Sequence, residues 1–274
     1  MPDPLIVRQD ICITVPGGIA IAQYLTPRHH IDPAAPLLVF LHEGLGCIGM
    51  WKDFPTALAE VTGCAAILYD RPGHGRLGAV ASPRGPEYFE TEAFDVLPSV
   101  LEVVGSIAGI SIAPKNMILI GHSDGGTIAL LHAGRFPVRG IITEAAHVFV
   151  EDISRRGVES AQKIWRDTDF SDRLARYHGE NTRAIFEAWS TMWLSAWFRD
   201  WSIAPDLPKA KCPVLAMQGD DDEYGTMAQL DAIQRGVAGP VEPFAIPDCG
   251  HAPHIQARDA VLSAMVKFIA RLPA

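Results

Sequence analysis

The chain opens with alternation. In ICITVPGGIAIAQYL, residues 11–25, apolar and polar positions exchange on either side of Pro16-Gly17-Gly18. A period of two interrupted by turn residues predicts two antiparallel strands joined by a tight hairpin. Four later stretches do not alternate: LLVFLH (37–42), AAILYD (65–70), MILIG (117–121) and GIITEA (140–145) are apolar at nearly every position. Such runs predict parallel strands covered on both faces. Between them, MWKDFPTALAEV and FDVLPSVLEVVGSIAG carry helical spacing and end at glycine or turn residues. Strand, helix, strand repeats predict an α/β fold, a doubly wound, mostly parallel sheet with right-handed connections behind the N-terminal hairpin.

From about His147 to Pro208 the pattern becomes helix after helix, with no strand candidate. The α/β pattern then resumes with CPVLAMQG (212–219), a helix near Met227 to Gly236, the strand PFAIP (243–247) and a last helix through AVLSAMVKFIARL. This predicts a core of residues 1–146 and 209–274 interrupted by a helical lid at 147–208. The insertion carries Trp165, Trp189, Trp193, Trp197 and Trp201, the last four at every fourth residue. On a helix such a row makes one aromatic stripe. Either the stripe packs the lid on the body, or part of it, with Trp189, Trp193 and Trp197 as candidates, roofs a site and selects an apolar or aromatic group.

A chain of 274 residues buries roughly three quarters of its unfolded surface without help from disulfides. No linker, charge block or repeat divides it, so one domain with an insertion is expected. Acidic residues outnumber basic ones 32 to 23, a formal charge of −9, which argues against nucleic acid or an anionic membrane as partner and leaves a small molecule. MPDPLIVRQD lacks the basic flank and apolar core of a signal peptide, and no uncharged apolar run reaches the ~20 residues of a membrane span. A cytoplasmic protein is expected; a homo-oligomer stays open. Cys12, Cys47, Cys64, Cys212 and Cys249 are an odd number without CxxC spacing, unlike a disulfide framework or a zinc site.

In an open α/β sheet, ligands sit beyond the carboxyl ends of the strands. There, after MILIG and before GTIALLHAGRF, stands Gly121-His122-Ser123-Asp124-Gly125, followed by Gly126. G-x-S-x-G between a strand and a helix is a nucleophile elbow, whose tight turn strains the serine backbone and lifts its hydroxyl above the sheet. The opening helix aims free N–H groups at a developing oxyanion. A serine needs a histidine to take its proton, and the histidine an acid to orient it. CPVLAMQG leads into Asp220-Asp221-Asp222, and PFAIP into Asp248-Cys249-Gly250-His251. Ser, Asp and His in that order, each after a successive strand, is the α/β-hydrolase arrangement.

On these residues the chain resembles the α/β-hydrolase family over essentially its whole length. The resemblance implies Ser123 as nucleophile, His251 as base and Asp222, three residues after Gly219, as acid, with Asp221 the alternative. His254 reads as a helix-start or rim residue, and His251-x-x-His254 with Asp248 lacks the further ligands of a metal site. In the family the loop after the third strand, here His42-Glu43-Gly44-Leu45-Gly46, supplies the second oxyanion donor, so the N–H groups of Gly44 and Asp124 are implied. Glu43 replaces the usual glycine; its side chain is either a structural partner or a carboxylate that biases substrate charge. Asp70-Arg71-Pro72-Gly73-His74-Gly75 matches a turn implied to position that loop. Ser-Asp-Gly-Gly is similar to the valacyclovir hydrolase-like branch, in which the acid after the nucleophile holds a substrate amino group; the alternative is stabilisation by the helix dipole.

Gly44-Leu45-Gly46-Cys47-Ile48-Gly49 also fits G-x-G-x-x-G, the outline of a dinucleotide site. His42 and Glu43 separate it from its strand and the bulky Met50-Trp51 follow, so it is set aside. The reading is a serine hydrolase of a small, apolar or aromatic carboxylic ester, thioester or lactone, acting through an acyl enzyme and needing neither metal nor organic cofactor. Two other functions remain open: hydrolysis of a carbon–carbon bond in a vinylogous diketone from ring fission, and a ligand receptor with vestigial catalysis.

Overall fold

The structure, a computed structural model, describes residues 6–28, 35–77 and 84–273. Residues 1–5, part of the stretch read for a leader, lie outside the described residues. Strands β1 (Ile6–Val15) and β2 (Gly18–Pro27) form the hairpin, in register from Val15↔Gly18 to Ile6↔Pro27. There follow β3 (Leu37–Leu41), α1 (Phe54–Thr62), β4 (Ala66–Tyr69), α2 (Leu97–Ala108), β5 (Met117–His122), α3 (Asp124–Arg135) and β6 (Gly140–Glu144). Helices α4 (Asp152–Asp167), α5 (Phe170–His178) and α6 (Thr182–Leu194) come next. Then β7 (Val214–Gly219), α7 (Met227–Gly236), β8 (Val241–Ile246) and α8 (Arg258–Arg271) complete the chain. Eight strands join in one sheet, ordered β1-β2-β4-β3-β5-β6-β7-β8, antiparallel in the hairpin and where β2 meets β4, and parallel from β4 to β8.

The apolar runs are explained by two cores, one on each face. Val39 and Leu41, Ile67 and Tyr69, Met117 and Leu119, and Val214 and Ala216 point to the face covered by α2, α3 and α7. Leu38 and Phe40, Ala66 and Leu68, Ile118 and Ile120, and Leu215 and Met217 point to the face covered by α1 and α8. Both sets are excluded from water, so neither parity tolerates a polar residue.

Three local departures from the predicted pattern have physical causes. The helix expected across MWKDFPTALAEV is two pieces, a 3-10 turn at Ile48–Trp51 and then α1, because Lys52 takes φ 56 and Pro55 enters the first turn of α1. The helix leading to α2 widens to a π turn at Glu92–Val96 just before Pro98, which cannot donate to a preceding carbonyl. The aromatic stripe is also broken. Helix α6 ends at Leu194, where Ser195 becomes extended and its hydroxyl donates to the Met192 carbonyl. The chain then turns back, with Ile203 N–H donating to Val148 O, so Trp197 and Trp201 leave the helix that carries Trp189 and Trp193.

The turn after β5 brings the carboxyl edge together. A Cβ on Gly125 would overlap the Leu41 carbonyl oxygen at the end of β3, and one on Gly121 would overlap the Gly125 backbone. We therefore expect Gly125→Ala to destabilise the fold by about 1–3 kcal/mol or more, the usual cost of overpacking where backbone must move, measured by urea unfolding.

Candidate active site

Four loops meet at the carboxyl edge of the sheet, those after β3, β5, β7 and β8. Ser123, between β5 and α3, has φ 52 and ψ −115, a conformation that costs a non-glycine residue free energy and that the packed turn enforces. Its N–H donates to the Glu144 carbonyl of β6 (2.8 Å). Asp124 opens α3, and among the described residues no group accepts from its N–H or from that of Gly44.

His251 lies beyond β8. Its Nδ1 stands 2.9 Å from both carboxylate oxygens of Asp222, which sits past the end of β7. Asp222 also accepts from Tyr224 N–H (2.8 Å), Gly225 N–H (3.3 Å) and Gln218 Nε2 (2.7 Å). Burial alone would raise its pKa, but His251 and the Tyr224 amide outweigh it and hold the carboxyl below its ordinary value. An ionised Asp222 keeps the proton on Nδ1, leaving Nε2 of His251 free to act as a base. Asp221 does not reach the ring: it is exposed, and its N–H donates to the Cys249 carbonyl.

Ser123 and His251 line one cavity of about 410 Å³. Leu45 and Met50 line it, together with Val158, Phe170, Leu174, Trp189 and Trp193, all from α4 to α6. Its polar rim includes Glu43, His122, His147 and Glu223, and among the described residues its lining holds no lysine or arginine. The His147 ring stands 5.7 Å from that of His251 and 4.9 Å from Trp193. Burial first, and then the His251 charge, lower its pKa, so it is a neutral ring that donates from Nε2 to the Tyr224 carbonyl (3.1 Å).

A family model described as "Alpha/beta hydrolase family" matches residues 38–264. The chain belongs to the alpha/beta hydrolase family. It is similar to a 2-succinyl-6-hydroxy-2,4-cyclohexadiene-1-carboxylate synthase of Enterobacter sp. (strain 638), 26% identical over 86% of this chain and 93% of that protein. A synthase of the same name from Salmonella agona (strain SL483) is 28% identical over 58% of this chain and 54% of its own length. Among solved structures, the enol-lactonase of Burkholderia xenovorans LB400 covers 95% of this chain and 100% of its own with a TM-score of 0.70 at 18% identity. An esterase from Exiguobacterium antarcticum covers 96% and 100% with a TM-score of 0.70 at 19% identity. At these identities the structural likeness is one of fold.

Within this alpha/beta hydrolase, Glu43, Gly44, Ser123, Trp189, Trp193 and His251 line the cavity, with Asp222 bonded behind His251. Trp197 does not line it. Its side chain is 45% exposed and meets Phe198 edge-on, because the chain has left α6 three residues earlier. The Asp124 carboxylate is also turned away: Asp124 is 1% exposed and its Oδ2 pairs with Arg84 (3.4 Å) and Arg71 (3.9 Å). The same guanidinium groups donate to the Gly44 and Glu43 carbonyls (2.9 and 2.6 Å). Asp124 therefore ties the elbow to the loop after β3, a task that neither a substrate amine nor the helix dipole explains. Arg84 carries no periodic signal in the sequence. His147, three residues past β6, was identifiable by its place at the carboxyl edge.

His254, expected at a helix start or rim, does begin a short turn at Pro253–Gln256, but it is buried. Its Nδ1 and its N–H both meet Glu144 Oε2 (2.8 and 2.9 Å). Among the described residues no cluster of His, Cys, Asp and Glu is arranged to hold a metal, and no helix is long and apolar enough to cross a membrane.

Asp124→Asn should lower kcat/KM for amino esters and neutral esters alike, by about tenfold through misplacement of the loop; a loss confined to amino esters would return the carboxylate to substrate binding. For the buried pair, burial raises the Glu144 pKa but His254 outweighs it, holding the carboxyl below 4.5; burial lowers that of His254 but Glu144 lifts it above 6.5. The Glu144 share of stability is present above pH 4.5 and lost as pH falls through its lowered value, and the His254 share is present below 6.5 and lost as pH rises through its raised value. The gap in unfolding free energy between wild type and Glu144→Gln should therefore be widest near about pH 5.5, about 3 kcal/mol or more, and narrow on both sides.

Proposed function

We propose that the protein is a serine hydrolase that cleaves a small, uncharged, apolar or aromatic carboxylic ester, thioester or lactone through an acyl enzyme. The observation that carries this reading is the position of His251, with Nδ1 held by Asp222 and its ring in the wall of the cavity that Ser123 enters on a strained turn. In the proposed reaction, Nε2 of His251 takes the Ser123 hydroxyl proton as Oγ attacks the acyl carbon. The oxyanion is stabilised by the N–H groups of Gly44 and Asp124. Collapse expels the alcohol, thiol or enol, which receives the proton from His251. Water then gives a proton to His251 and attacks the acyl carbon, the second collapse returns that proton to Ser123 and releases the acid, and no cofactor takes part.

The substrate class rests on the cavity. Its walls are apolar and aromatic, and α4 to α6 cover it as a lid, within the insertion at 147–208. The compound in the name of the relatives bears carboxylate and succinyl groups; here an anionic substrate would meet Glu223 and no described lysine or arginine. A cytoplasmic location is part of the proposal, in keeping with free thiols at Cys12, Cys47, Cys212 and Cys249.

The test is turnover of a p-nitrophenyl ester series by wild type and Ser123→Ala, with mass spectrometry after a fluorophosphonate. A loss of about 10⁴-fold or more in the variant with the label on Ser123 supports the reading. Turnover that survives the substitution, or tight ligand binding without turnover or label, overturns it.

A further inference from the structure

We propose that Glu43, in the loop after β3, is a positioning residue that acts on His251 through His122. The inference rests on the serine-hydrolase reading of the same site.

Although Glu43 borders the cavity, its carboxylate is folded back over Gly46, where a Cβ would overlap Oε2. The glycine two residues past Gly44 thus makes room for this side chain, and the loop closes with Gly46 N–H donating to Glu43 O (3.0 Å). From there Oε2 stands 3.4 Å from Nδ1 of His122, the last residue of β5 and the neighbour of Ser123. The other ring nitrogen of His122 stands 2.6 Å from the His251 carbonyl oxygen. A carbonyl only accepts, so Nε2 donates to it; Nδ1 makes no hydrogen bond among the described residues, and its contact with the Glu43 carboxylate is an ion pair that needs a proton on Nδ1 as well. One imidazole therefore links the loop after β3, the elbow after β5 and the main chain of the base after β8.

The ring is confined on every side. His251 lies 5.2 Å away, His254 5.1 Å and Trp51 6.2 Å between ring centres, and Glu144 acts on it electrostatically from β6. Burial works against ionisation of Glu43, but contact with His122 and the charges of His122 and His254 outweigh it and hold the carboxyl at about 2. Glu43 is therefore an anion throughout any assay range, and the anion is already committed to His122. That leaves it poorly placed to select substrate charge, the other role its sequence position allows.

The experiment measures kcat, KM and the rate of fluorophosphonate labelling of Ser123 in wild type, Glu43→Gln, His122→Gln and the double variant. The expected result is a ten- to hundredfold fall in kcat and labelling rate for each single variant, about the scale of a misplaced base, with KM changed less than about twofold. The double variant should be no worse than the poorer single one, because both break the same link. Glu43→Asp, a methylene shorter, should keep part of the lost kcat, and it carries the test if the glutamine variant does not fold. Unchanged kcat and labelling in Glu43→Gln, additive losses in the double variant, or a gain confined to carboxylate-bearing esters would overturn the proposal. A wild type that takes no label instead removes the serine-hydrolase reading itself.

Discussion

The carboxyl edge of the sheet depends on one backbone contact, Gly125 against the carbonyl at the end of β3. Because nothing larger than hydrogen separates α3 from β3, the elbow is pressed against the neighbouring loop and Ser123 is forced to φ 52. That conformation persists only because the surroundings leave no alternative. The contact also sets a distance: the N–H of Asp124 and the N–H of Gly44 belong to segments more than seventy residues apart in sequence, yet both emerge where the strands end. The sheet below is apolar on both faces for the same reason, since only a rigid, fully packed layer fixes two loop backbones against each other.

Three polar clusters tie this edge together. Asp124 meets Arg71 and Arg84, Glu43 meets His122, and Glu144 meets His254. Buried ion pairs contribute little net stability, because desolvation consumes most of the Coulombic gain. Their effect here is geometric: each joins loops that carry different parts of the site, and each fails by leaving an uncompensated charge behind. The Asp124 carboxylate is thus anchored behind the cavity and that of Glu43 is folded back over Gly46, and the apolar walls define what remains for a substrate.

The sequence made the fold legible where the signal was local. Strands buried on both faces wrote themselves as unbroken apolar runs, and a strand ending in glycine, serine and glycine wrote the elbow. Asp222 was within reach of the same logic because Gly219 ends β7, and Asp222 is the acid that meets His251. The aromatic row guided only as far as Trp193, because spacing by four implies one face only while the helix lasts, and α6 stops at Leu194. For Glu43 the sequence left a structural partner open beside a substrate role but could not name that partner, and for Asp124 it offered no arginine. Their partners, His122 and Arg84, are brought to them by tertiary packing across 79 and 40 residues, and no period in the chain encodes such a distance.

The same packing decides where the positive charge near the site lies. A fold shared over most of the chain leaves the loops free to differ, and function resides in the loops. In this chain the cations near the site, Arg71 and Arg84, are turned behind the loop after β3, where they hold the Glu43 and Gly44 carbonyls. Two guanidinium groups that share a buried carboxylate, each also donating to a main-chain oxygen, are turned away from an anionic ligand in the cavity. The positive charge that would recognise a carboxylate is present within the elbow's surroundings, but it is spent on architecture, and the cavity is left to tryptophan, leucine and methionine.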